Sequence, residues 1–180
     1  MRSITVPSQL GEVLIVDEPA YTFGSADNLR RYVQETNLQS EYTPTSVHGV
    51  FLNGIPIVVF GAAGGCSTVH KHSVLALGSK LFLAVGDNVV CFDLIDLKLM
   101  WATVVDEATC FGIHFEPKRG ALISHGELDI ANLDENGKIL WSSSGADVFS
   151  AGFRLEEEYI VVTDFNHRDY RLNYETGVSV

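Results

Sequence analysis

Lysine and arginine are scarce in this chain, and their scarcity excludes more than any other feature. Twelve basic residues stand against 23 acidic ones over 180 positions, a formal net charge of −11. Phosphate backbones are bound by clustered Lys and Arg, so this balance argues against nucleic acid and against anionic membrane surfaces. It suits plain solubility, or a basic partner approached by electrostatic steering. Cysteine is sparse as well. Cys66, Cys91 and Cys110 are an odd number without paired spacing, so they make no disulfide framework. Cys91 and Cys110 lie in apolar runs, where a thiol acts as a small buried hydrophobe, and a reducing, cytoplasmic setting is expected. The opening stretch has one positive charge, Arg2, and no uninterrupted apolar region, so no secretory signal is expected. No apolar run approaches the length of a membrane span. Also lacking are a Gly-x-Ser-x-Gly elbow, a His-Glu-x-x-His or Cys-x-x-Cys spacing, and a cysteine-protease phrase.

What the chain does have is a repeat. Trp101 and Trp141 are 141 − 101 = 40 residues apart, and each closes a phrase of strand, polar turn and strand. The first phrase runs Val90-Cys91-Phe92-Asp93 to Lys98-Leu99-Met100-Trp101, and the second ends Asn136-Gly137-Lys138-Ile139-Leu140-Trp141. A third, containing Glu175-Thr176-Gly177, breaks off where the next tryptophan would fall. A period near 40 with several short strands per period predicts an all-β fold, a propeller-like array of four-stranded antiparallel units. Residues 73–180 hold three such repeats, with strands at 73–77, 81–85, 88–94 and 98–104 in the first and 109–115, 121–125, 128–133 and 138–142 in the second. Both tryptophans are read as packing residues that cover the face between neighbouring sheets.

Residues 1–72 fit the repeat poorly and form an irregular half-unit within one 180-residue domain. A strand is expected at 12–17. A short helix is expected over 25–36, with Ser25 as N-cap and Leu29, Tyr32 and Val33 on one face. A hairpin is expected over 47–60 around Asn53-Gly54, with Pro56 placing its second strand at an edge. The half-unit would complete a fourth blade, and a strand at 12–16 could supply the outer strand that the third repeat lacks.

The aspartate that ends one strand, the Gly-Lys turn and the closing tryptophan together resemble the repeat of pyrroloquinoline-quinone-type, or quinoprotein-like, β-propellers, over roughly residues 73–180. The resemblance implies blade geometry. It carries over no catalytic or quinone-binding residue, and three or four copies make a far shorter array than the six to eight blades usual in that family. No cofactor is expected. The array could close as a four-bladed ring, stand open, or be completed by a second copy.

Three places could carry chemistry. Residues 61–72 open on a glycine-rich stretch, Gly61-Ala62-Ala63-Gly64-Gly65, which lacks the Gly-Lys-Ser/Thr ending of a phosphate loop and reads as a tight turn between sheets. In the same segment His70 and His72 share one face of an extended stretch, and with Cys66 they are the candidate metal ligands of the chain. Cys66 is also the one candidate for a reactive thiol. His114 and His125 flank the turn at 117–120 and should meet across that hairpin. Acidic residues near the turns, among them Asp93, Asp134 and Glu175, serve local backbone hydrogen bonding. Together these features favour a non-enzymatic protein-binding or scaffold domain whose partner is another protein or a second copy of itself, and which acts as an inhibitor or immunity-type partner of a basic protein. The rival is a small enzyme or metal-binding protein centred on the segment from Gly61 to His72.

Overall fold

The computed structural model describes residues 2–39 and 43–180, and every regular element among them is a β-strand. Strands β1 (Ser3–Ser8), β2 (Gly11–Asp17), β3 (Gln34–Asn37), β4 (Ser46–Leu52) and β5 (Ile55–Ala62) form a five-stranded first sheet in the order β1-β2-β4-β5-β3. Strands β6 (Val74–Leu77), β7 (Lys80–Val85), β8 (Asn88–Asp93) and β9 (Lys98–Val104) form the second sheet in chain order. The third repeats that plan with β10 (Cys110–Glu116), β11 (Ala121–Gly126), β12 (Asp129–Leu133) and β13 (Ile139–Ser144). The fourth has β14 (Gly152–Leu155), β15 (Tyr159–Thr163) and β16 (Asp169–Asn173), and a single bridge from Leu172 to Ser179 marks the place of an outer strand.

Period-two alternation explains how these sheets stack. Leu81, Leu83 and Val85 of β7 face the first sheet in one buried cluster, while Phe82 and Ala84 face the third sheet in another. The same division sends Ile123 towards the fourth sheet and Leu122 back towards the second. Middle strands are thus apolar on both faces because both faces are covered, whereas the outer strand β9 alternates between exposed and half-buried residues. Buried clusters join sheet one to two, two to three and three to four, and among the described residues none of the clusters joins the fourth sheet to the first.

The tryptophans fasten one repeat to the next. Trp101 Nε1 donates to the Glu135 carbonyl at 3.0 Å, and its ring lies against Gly137 so closely that a side chain there would collide with it. Trp141 Nε1 donates to the Tyr174 carbonyl at 2.8 Å, and its ring lies against Gly177 in the same way. Both glycines hold positive φ, 80° and 68°. The tryptophan of one sheet therefore reads the turn of the following sheet, and the glycine serves two needs at once, an unusual backbone angle and room for an indole. A bulge beside each tryptophan, between Cys91 and Phe92 and between Asn132 and Leu133, recurs at the same place in both sheets.

Two expectations for the N-terminal part are corrected. Residues 25–36 are turns and bends leading into β3, with no helix. Their side chains serve other masters: Asn28 accepts from the Thr22 N–H and donates to the Thr22 and Ser25 carbonyls, and Leu29 is 91% exposed. Tyr32 is buried, donating its hydroxyl to Glu18 at 2.6 Å, and Glu18 also pairs with Arg30 at 3.0 Å. Residues 12–16 do not complete the last sheet either, because β2 lies between β1 and β4 in the first. The strand at Ser3–Ser8 lies outside the expected set, since Pro7 interrupts a short pattern. Pro56 lies beyond the parallel pairing of β3 with β5, which begins at Val58, so the proline occupies a locally free edge.

Candidate functional site

Four of the six histidines gather at the end of the sheets where the inter-sheet connections run. The turn at 70–72 is held by His70 N–H donating to Ser73 Oγ at 3.0 Å, and by Ser73 N–H donating to the His70 carbonyl at 2.9 Å. Ile113 N–H of β10 donates to the His72 carbonyl at 2.8 Å, and Gly112 lets the two backbones approach. His72 is thereby pressed against His114 of the same strand, with ring centroids 4.6 Å apart. Phe153 of β14 lies 4.1 Å from His114 and 4.7 Å from His125 of β11, nearly parallel to the latter at 20°. His72, His114, Phe153 and His125 form a continuous stack, and with Phe111 they wall a pocket of about 410 Å³.

The electrostatics of the stack are those of neutral imidazole. Burial pulls His114 down to about 3, assisted by the nearby charges that His72 and His125 would carry if protonated. Burial pulls His125 down to about 4. His70 and His72 are lowered too, first by burial and then by neighbours that include Lys71. At neutral pH the pocket is an uncharged aromatic box within an acidic protein. His125 Nε2 lies 3.0 Å from the Phe149 carbonyl, which can only accept, so the hydrogen sits on Nε2 and Nδ1 is bare. Among the described residues His114 Nε2 is buried without a partner, a polar atom that a ligand could satisfy.

His114 and His125 meet across their hairpin as their spacing implies, at 6.3 Å between centroids. His70 and His72 also come together, at 6.2 Å. Cys66 does not join them. It borders a different recess with Arg2, Asp17 and Ser67, and its Sγ points to the Thr45 carbonyl at 3.5 Å. Among the described residues no three His, Cys, Asp or Glu side chains assemble as a metal-binding group. Cys91 and Cys110 are buried, and burial raises their thiols to about 11 and about 12, which makes them inert. The glycine stretch is explained by close approach: Gly64, at φ 84°, touches Asp87 and the Ala108 carbonyl, and Gly65 touches Thr109. Sequence reasoning finds all four histidines as two unrelated pairs and misses Phe153. Two contacts unite them: the 70–72 turn docks on β10 through the His72 carbonyl, and the fourth sheet brings Phe153 against the third.

No protein-family model matches the chain, and no curated protein matches it in sequence. Likeness appears among solved structures. BamB from Moraxella catarrhalis, a quinoprotein-like β-propeller, aligns over 100% of this chain and 50% of its own at 14% identity, with a TM-score of 0.50. The computationally designed Ika8 protein aligns over 77% of this chain and 46% of its own at 11% identity, with a TM-score of 0.53. The WD40 β-propeller domain of Doa1 aligns over 67% and 41% at 15% identity, with a TM-score of 0.49. This chain therefore spans half or less of the length of each of these three structures. The stacked antiparallel sheets and the likeness to BamB define the class, an all-β array of propeller type. No helix among the described residues is long and apolar enough to cross a membrane.

Proposed function

We propose that the chain is a protein-binding domain that receives a basic side chain of its partner in the aromatic pocket of His72, His114, Phe153 and His125. The observation that carries this reading is the unpartnered Nε2 of His114 inside a neutral, aromatic, concave site. Concave sites rich in aromatic residues concentrate binding energy, and a ring face attracts guanidinium or ammonium. A bare imidazole nitrogen accepts a hydrogen bond from such a group, and the net charge of −11 steers a basic surface towards it. Inhibition of a basic enzyme by occlusion, in a cytoplasmic setting, is the form of binding this combination fits best. The tryptophan-and-glycine turns favour kinship with the quinoprotein-type repeat, with its geometry and without its cofactor.

A short arginine-containing peptide, titrated at neutral pH and followed by imidazole proton–carbon NMR, tests the reading. Shifts at His72, His114 and His125, lost in Phe153→Ala, are expected. Shifts confined to acidic loops such as Glu156 to Glu158 would mean non-specific attraction and end the proposal. Native mass spectrometry of the same sample reports whether a second copy is the partner, an arrangement favoured by the alignment to half of BamB.

A further inference from the structure

The recess beside Cys66 holds an arrangement separate from the aromatic pocket. His48, on β4, is 1% exposed. Its Nε2 lies 3.1 Å from Ser67 Oγ, and its Nδ1 lies 3.2 Å from Asp17 Oδ1. The Nδ1–H direction is off the straight line to the carboxylate, so this is a close charge–dipole contact rather than an ideal hydrogen bond. It still decides the tautomer, because Asp17 faces Nδ1 and a carboxylate only accepts. Burial pushes the Asp17 carboxyl up, but His48, the Val69 N–H and the Arg2 charge outweigh it, and the group is held below the usual carboxylate range. With the hydrogen on Nδ1, Nε2 is an acceptor aimed at a hydroxyl. Ser67 Oγ already accepts from the Gly86 N–H at 3.0 Å, which leaves its own hydrogen for Nε2.

The geometry points to Ser67 as an acyl-accepting nucleophile, with His48 as its general base and Asp17 as the positioning residue, acting on esters of short-chain carboxylic acids. Nucleophile, base and orienting carboxylate in hydrogen-bond reach are recognised by geometry and role, on any fold. Ser67 is half-buried at a recess of about 260 Å³ bordered by Arg2, Asp17, Thr45, Cys66 and Thr68, a volume that suits a small acyl group. In the first step Ser67 Oγ attacks the ester carbonyl carbon and its proton passes to His48 Nε2. The carbon–alkoxy bond then breaks, and the leaving oxygen takes that proton and departs as an alcohol. Water attacks the acyl-serine with His48 again as base, releasing the carboxylic acid and restoring Ser67. Ester and water are the only reactants, and acid and alcohol the only products.

Nothing in the sequence announces this. Asp17, His48 and Ser67 lie on three separate stretches, and Ser67 has no Gly-x-Ser-x-Gly context. The fold unites them because Asp17 and His48 are partners across β2 and β4, and the Ser67 N–H donates to Ser46 Oγ at the start of β4 at 2.8 Å. The test is to incubate the full chain with a small fluorophosphonate and map the adduct by peptide mass spectrometry. An adduct on Ser67 is expected, together with p-nitrophenyl acetate hydrolysis that Ser67→Ala reduces on the order of 10²-fold or more. Asp17→Asn should slow labelling of the folded protein by a similar factor with only a small fall in the denaturation midpoint, whereas a purely structural Asp17 would lower the midpoint and leave labelling of the folded protein unchanged. No adduct on Ser67, an adduct elsewhere, or hydrolysis undiminished in Ser67→Ala would overturn the assignment. The adduct is read on the unaltered protein, so the outcome does not depend on a variant folding.

Discussion

Gly137 and Leu97 occupy the same place in successive repeats, each four residues before a tryptophan and each at positive φ, 80° and 50°. One is glycine because the indole of Trp101 lies on it. At the other no tryptophan arrives, and the amide of Gln34 docks on the Leu97 carbonyl instead. Gly137→Ala should therefore destabilise the protein by about 2–4 kcal/mol, adding left-handed strain to a collision with the ring. Leu97→Gly should change stability by less than about 1 kcal/mol, because relief of strain offsets the lost packing. Urea denaturation of the two variants checks the contrast, and equal effects would refute the account.

Among the elements, residues 25–36 show where local pattern misleads. Ser25, Asp27 and the spacing of Leu29, Tyr32 and Val33 satisfy every local rule for a helix start, yet Val33 is 69% exposed and the chain is bent. Tertiary hydrogen bonds decide the matter: Glu35 takes the Tyr21 hydroxyl and the Gly24 N–H, both at 2.7 Å, and a helical path would break them. The two conformations predict opposite signs for Asn28→Ala. A helix would gain from alanine, whereas loss of three bonds to backbone should cost about 1–3 kcal/mol. A lowered thermal midpoint with unchanged far-ultraviolet circular dichroism is the expected outcome. The repeats, in contrast, are legible almost strand for strand, because period-two alternation and Asn-Gly or Gly-Asp turns are local signals that tertiary contacts reinforce here. The pocket is legible only in part. Histidine pairs 70/72 and 114/125 are close in sequence, but Phe153 comes from another sheet, and the contacts of His48 with Asp17 and Ser67 have no local signal at all.

For the molecule as a whole, the imidazole stack sets the response to acid. His114 and His125 bind protons below their ordinary value in the folded state, at about 3 and about 4, against a usual 6.5. Above that usual value neither state is protonated, and these groups give no pH dependence. As pH falls from about 6.5 towards about 4, the unfolded chain takes up protons that the folded chain refuses, and stability drops. Both rings border an open pocket, so the loss is on the order of a few kcal/mol. Denaturant midpoints measured across that range should fall steadily, and His114→Phe should flatten the fall. A midpoint constant down to pH about 4 would contradict the neutral stack.

The tryptophan clasps have a mechanical consequence. Each reaches forward to the next sheet and no further, so load applied between the ends is carried through a series of separate catches. Such a chain yields link by link, and a sheet at one end can be lost while the catch between the middle sheets stays shut.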